Sequence, residues 1–243
     1  MENETPDQSF KSHYKVIAPL LMGKGVGDGL TTMCVMSQAA CIDALRKGLT
    51  LDKPTDEMEC ACRVLRRIAI CLNDGKWWES NKERTEYLRP LIPLLLDSKQ
   101  SKETTLKRIY YMANQSVKFL TPMRLRWRAA HCKDEKIKKM FEDGASSVEA
   151  LTDLLDRNSC IAAKNVCQKL QSAAAADAAA AVDADVDAAA AAAAAAAAYA
   201  YAAADAAAYA YADADADVAS QKIKYRDALI EAFKECAKIV DVK

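Results

Sequence analysis

The sequence predicts an all-α protein: a compact helical body carrying a long Ala-rich helical extension. Three observations predict it. Apolar residues recur at i, i+3, i+4 and i+7 over residues 55–72 and 101–120. No sustained run of β-branched residues marks a strand anywhere in the body. Residues 173–219 contain only Ala, Asp, Val and Tyr, with no Gly, Pro or Asn to break a helix. The expected organisation is an N-terminal arm with a Gly-rich loop (1–29), a helical body (30–172), the Ala/Asp/Tyr tract (173–219) and an amphipathic C-terminal helix (220–243).

The elements follow in order. "GKGVGDG" gathers four of the seven glycines at Gly23, Gly25, Gly27 and Gly29. A helix is expected from about Thr31 to Lys47, stopped by Gly48. The 55–72 helix places Met58, Ala61, Cys62, Leu65, Ile68, Ala69 and Leu72 on one face and ends at "NDG". Pro90 and Pro93 in "LRPLIP" predict a rigid corner with Leu91, Ile92 and Leu94 buried. Ser101 is placed to cap a helix that Pro122 would end, and a basic helix over 123–141 follows. Ser146 and Glu149 have capping-box spacing for a helix over 147–157. Ile223, Leu229, Ile230, Phe233, Ala237 and Val240 give the last amphipathic helix.

The tract carries a conflict. Every Asp and every Tyr within it has an odd number and every Val an even one, and period two is the strand signature. An Ala-rich sheet or solenoid is therefore the alternative. Alanine's helix propensity and the missing corner residues favour helix. Slippage of a six-base unit would also write the same parity with no strand behind it.

Charge is unevenly spread although the whole chain is neutral. The tract has eight Asp and no basic residue. Residues 102–139 hold eleven basic residues against three acidic ones. Either that segment and the acidic tract face each other, within the fold or across a dimer, or the segment binds a phosphate-bearing partner, a small molecule among them, or it is an ordinary solvated surface. Zero net charge argues against nucleic acid as a partner. The Asp-bearing tract is a poor membrane span. Nine cysteines, odd in number and irregular in spacing, suit free thiols in a reducing cytoplasm.

No catalytic constellation stands out. Cys60 and Cys62 form C-x-C, but on a helix they would point about 200° apart, so no metal and no cofactor is expected. "GKGVGDG" offers the best anion loop, with Lys24 and Asp28 in it, yet matches neither Walker A nor G-x-G-x-x-G. Arg89, Arg124 and Arg128 complete the candidate ligand-binding set. Trp77 and Trp78 cannot both be buried on one face, so one is an interface candidate, as are Tyr199, Tyr201, Tyr209 and Tyr211 of the tract.

"MCVM" (33–36), "CACRV" (60–64), "LND" (72–74), Arg84, "LRPLIP" (88–93) and "NQSVKFLTPMRLR" (114–126) occur in an order that resembles a broad family of tailed-phage proteins, many ending in an Ala-rich, Asp- and Tyr-dotted tract. The resemblance covers roughly residues 28–130 and the style of the C-terminal half. Family members often carry Glu where this chain has Ser37, which weakens a catalytic role there. The resemblance implies a protein of the infected bacterial cytoplasm. The expectation is a non-enzymatic interaction protein, one that antagonises a host factor by binding a host protein or a nucleotide signal. The alternative is a structural protein assembling through its tract. A homo-oligomer is expected in either case.

Overall fold

The computed structural model describes residues 17, 20–25, 31–49, 55–131, 135–156, 158–163, 165–166 and 216–241. It is all-α. The helices are α1 (Val35–Arg46), α2 (Arg63–Asp74), α3 (Asn81–Leu88), α4 (Ile92–Leu95), α5 (Lys102–Asn114), α6 (Thr121–His131), α7 (Glu135–Glu149) and α8 (Ala216–Lys238). A 3-10 turn (Arg89–Leu91) joins α3 to α4, and a π-helical segment (Gln115–Leu120) joins α5 to α6. The extended backbone among the described residues amounts to an isolated parallel bridge between Leu21 and Thr32.

The chain divides into two compact units: Met1–Ser101 with Phe233–Lys243, and Lys102–Ala232. The division at Ser101 falls inside the span expected as one helical body. Most of the 173–219 tract, including Tyr199, Tyr201, Tyr209 and Tyr211, lies outside the described residues. Its last residues, from Ala216, belong to α8, which thus begins earlier than the expected 220 and ends at Lys238, short of the expected 243.

In the first unit α1 packs against α2 and α4. Val35, Met36, Ala39 and Ile42 of α1, Leu65, Ile68 and Leu72 of α2, and Leu88, Leu91, Ile92 and Leu95 are all buried. Both prolines sit where a missing N–H matters least. Pro90 is the second residue of the 3-10 turn and Pro93 the second of the short α4, in the first turn where the N–H has no partner within the helix. Leu94 is half-buried, and Leu95 takes the core position instead. Gly48 has φ +67°, the left-handed value expected of a helix stop.

The second unit packs α7 closely against α6. Ala113, Val117, Val148, Leu154, Cys160 and Ala163 form its core, with Tyr110 and Leu151 against them.

Several boundaries differ from expectation, each for a tertiary or local reason. The 31–47 helix begins only at Val35, because Thr31–Met33 pair with the backbone of 21–23: Leu21 N–H donates to Thr31 O and Met33 N–H to Leu21 O. The 55–72 helix begins only at Arg63. Its expected first turns form an irregular segment with a tight turn, Ala61 N–H donating to Met58 O (3.1 Å), tied to residues 98–99: Cys62 N–H donates to Ser98 Oγ (2.8 Å) and Lys99 N–H to Cys60 O (2.8 Å). Cys60 and Cys62 therefore precede the helix, and the argument that they point apart on it fails.

Pro122 does not end a helix. Thr121 N–H donates to Ser116 O, five residues back, and the wide π turn moves the carbonyl that the proline ring would strike. The expected 123–141 helix is two, α6 and α7. The 147–157 helix is absent, since Ser146 and Ser147 lie inside α7 and their hydroxyls donate back to Glu142 O and Asp143 O. The start signal is instead Asp156, whose carboxylate accepts from Ser159 N–H (2.8 Å) ahead of helical residues 158–163.

Candidate functional site

The polar residues of the ordered motifs meet around one short backbone stretch, residues 20–25. Successive peptide groups of an extended chain face opposite edges. One edge of this stretch pairs with 31–33, where Gly23 N–H donates to Met33 O (3.3 Å). The other edge is covered by side chains. Gln38 Nε2 and Arg89 Nη2 donate to Leu20 O at 3.4 and 2.5 Å. Arg84 Nη1 donates to Met22 O (3.2 Å), and Thr85 Oγ1 accepts from Met22 N–H (2.7 Å).

The grip continues to Gly25. Asn73 Nδ2 donates to Gly23 O (2.9 Å) while its Oδ1 accepts from Val35 N–H (3.3 Å). One carboxamide thus ties the 20–25 stretch to the start of α1. Asp74 Oδ1 accepts from Gly25 N–H (3.0 Å), which carries φ +66°. A left-handed residue with an open Cβ direction is where glycine is free of strain.

The local sequence places these groups. Ser80 accepts from Glu83 N–H and starts α3, so Arg84, Thr85 and Leu88 turn inward. Asn73 and Asp74 are the last residues of α2, ahead of Gly75. A Cβ at Gly75 would stand 2.1 Å from the Trp77 ring. Only glycine lets that indole close over the helix end. Trp77 and Trp78 both donate their ring N–H to Leu72 O, at 3.1 and 2.8 Å, with their rings edge to face. Trp77 is buried and Trp78 half-buried, its ring 5.8 Å from that of exposed Tyr87. The expected split between the two tryptophans is thus present in degree.

The anion-loop candidates come out differently. Lys24 is exposed beside Gly25, and Asp28 lies outside the described residues. The start of α1 has its amides engaged by the protein: Val35 N–H by Asn73, and Ser37 N–H by Cys34 Sγ (3.2 Å). A phosphate would have to displace these groups. Arg89 belongs to the clamp in the first unit. Arg124 and Arg128 belong to the second, one turn apart on α6, over the rings of Tyr225 (5.4 Å) and Phe141 (5.7 Å). Burial, and then the neighbouring Arg124 charge, push the Arg128 guanidinium below its usual range.

Most of the acidic tract expected to face the basic segment lies outside the described residues, while four of the segment's basic residues pair with nearby carboxylates. Lys107 pairs with Glu103, Lys118 with Asp153 (2.5 Å), Lys138 with Glu135, and Arg126 with Glu149. Two of these partners, Glu149 and Asp153, stand just past the segment.

One cluster could hold a cation. Ligand atoms of Asp43, Cys60 and Asp97 lie within 4.8 Å of one another. Lys47 already donates to Asp43 (2.6 Å) and Arg46 to Asp97 (2.9 Å), so a metal would compete with two fixed positive charges. Burial raises the Cys60 thiol pKa.

The sequence singled out Arg89 as a ligand-binding candidate and Asn73, Asp74 and Arg84 only as motif residues, and it missed Gln38 and Thr85. The local signal was weak, since both are single polar residues on helices without a clear apolar face. No family model, no curated protein and no solved structure matches the chain.

Proposed function

We propose that the chain is a non-enzymatic, phage-encoded interaction protein that antagonises a host factor. One observation carries the reading. Asn73, Asp74, Arg84 and Arg89, the motif residues best suited to chemistry, all bond the backbone of residues 20–25 or its flanking peptide groups. Groups engaged in this way shape a surface; they do not approach a substrate. The tailed-phage resemblance supplies the setting, the cytoplasm of an infected bacterium. A host protein is the first partner class. A phosphate-bearing nucleotide is the second, with Arg124 and Arg128 as its receivers, because an anion between two cations one turn apart relieves their repulsion.

A panel of mono- and dinucleotides in a thermal-shift assay on the full chain separates these classes. A nucleotide that binds raises the melting temperature by mass action, and the double variant Arg124→Ala/Arg128→Ala abolishes the shift. A host-protein antagonist gives no shift and instead yields a defined complex with a purified partner. Turnover of any nucleotide would overturn the non-enzymatic reading. Light scattering tests the alternative, assembly through the tract: size that grows with concentration and collapses on deletion of 173–215 would favour it.

A further inference from the structure

The end of α2 and the outer face of α3 hold two aromatic rings at the surface in fixed positions. Trp78 is half-buried, and its ring N–H donates to Leu72 O (2.8 Å). Trp77 donates to the same carbonyl and stands edge to face with it, already buried. Tyr87 of α3 lies 5.8 Å from the Trp78 ring, tilted by 47°, and is 41% exposed. Rings held in this way lose little conformational freedom when a partner lands on them.

The charge beside the rings is mostly of one sign. Glu83 stands one turn before Tyr87 and about 40° round the helix axis, and Glu86 about 100° round on the same side. Glu83 is held there, since its Oε2 accepts from Glu79 N–H (2.8 Å). Glu79 and Glu86 are exposed. The cations of α3 point elsewhere. Arg84 is buried and donates to Met22 O, and Lys82 lies about 140° round from Tyr87. Lys76, ahead of the tryptophans, is the other exposed cation of the stretch.

We infer that this face receives an arginine-bearing segment of a protein partner. A guanidinium stacks on aromatic rings and is weakly hydrated, so it loses little on leaving water. The neighbouring carboxylates answer its charge. A purely apolar partner would bury those carboxylates unanswered, and a phosphate group would be repelled by them. The inference rests on reading the chain as an interaction protein, and it adds the partner's chemistry.

Titration of the 15N-labelled full chain with a hexa-arginine peptide tests it, with hexa-lysine and hexa-glutamate peptides alongside. The expected result is a saturable shift of the Trp78 indole N–H resonance with arginine, weaker binding of lysine and no shift with glutamate. Tyr87→Ala should weaken arginine binding about fivefold, the scale of one cation–π contact. Glu86→Gln should weaken it too, with the circular dichroism unchanged. The inference is overturned by an unmoved Trp78 resonance, by an equal response to lysine or glutamate, or by unchanged affinity in a folded Tyr87→Ala chain. If Tyr87→Ala does not fold, Glu86→Gln decides. A Trp78 shift that follows the chain's own concentration without peptide would assign the face to a second copy and overturn it as well. A complex with a purified host protein that Tyr87→Ala leaves intact sinks this surface and not the interaction-protein reading. Arginine binding at Trp78 with no host complex does the reverse.

Discussion

The polar side chains around residues 20–25 and those of the basic helices 102–149 use similar residue types to opposite ends. Arg84 is buried and donates to a backbone carbonyl and an amide oxygen. Arg126 lies exposed on α6 and pairs with Glu149. Burial decides what each interaction is worth. In the interior a lost partner leaves a desolvated group unanswered, whereas at the surface water takes its place. The first region should therefore be sensitive to single substitutions and the second tolerant.

The largest effect is expected from Leu65→Asp. Leu65 is fully buried in the first unit, and an unpaired carboxylate there has no means of solvation. Circular dichroism should show loss of the cooperative unfolding transition. A folded Leu65→Asp chain would show that the core of α2 is not where it is placed here.

Gly75→Ala comes next. The new methyl must push the Trp77 ring off the end of α2, at a cost of about 2–3 kcal/mol. Tryptophan fluorescence should shift to the red along with the lower denaturation midpoint. An unchanged emission maximum would mean that the ring does not lie over Gly75.

Asn73→Ala should cost about 1–3 kcal/mol, because Gly23 O and Val35 N–H lose their shared partner. Amide hydrogen exchange should rise locally, at residues 23 and 35, more than across the unit as a whole. Uniform exchange would point to a general packing defect and not to a clamp.

The smallest effect belongs to the basic helices. Arg126→Ala should leave the melting temperature nearly unchanged at neutral pH, and added salt should remove what difference there is. Hydrogen bonding from Arg126 depresses the Glu149 carboxyl pKa. Its contribution is thus present above the ordinary carboxylate range and is lost as pH falls through the lowered folded value. An Arg126→Ala penalty that persisted at high salt, or that grew on acidification, would contradict both points.

Much of the fold was legible in the sequence, and the errors have a common origin. Helical periodicity located α2 through Leu65, Ile68 and Leu72, and it located α5 and α8. Gly48 marked a true helix stop. The failures came wherever a backbone found a distant partner. Residues 55–62 have helical periodicity, but Ser98 and the Lys99 amide bond to Cys62 and Cys60 and hold the segment in an irregular turn. Thr31–Met33 read as helix and pair instead with 21–23. Pro122 read as a terminator, and one π turn accommodates it.

The candidate site divides in the same way. The motif residues Asn73, Asp74, Arg84 and Arg89 could be singled out from order and spacing, but their purpose could not. A side chain that binds a ligand and one that binds a backbone carbonyl up to 69 residues away have the same sequence appearance.

Propensity and period within a few residues sufficed for the all-α class, the core face of α2 and the helix stop at Gly48, whereas the expected face of α8 failed at Ile223, which is exposed, and at Val240, which lies past its end. Tertiary structure decided where α1 and α2 begin and what Gln38, Asn73, Arg84 and Arg89 hold. Hydrogen bonds between segments far apart in sequence set those outcomes, and a local pattern carries no information about a partner that only folding brings near.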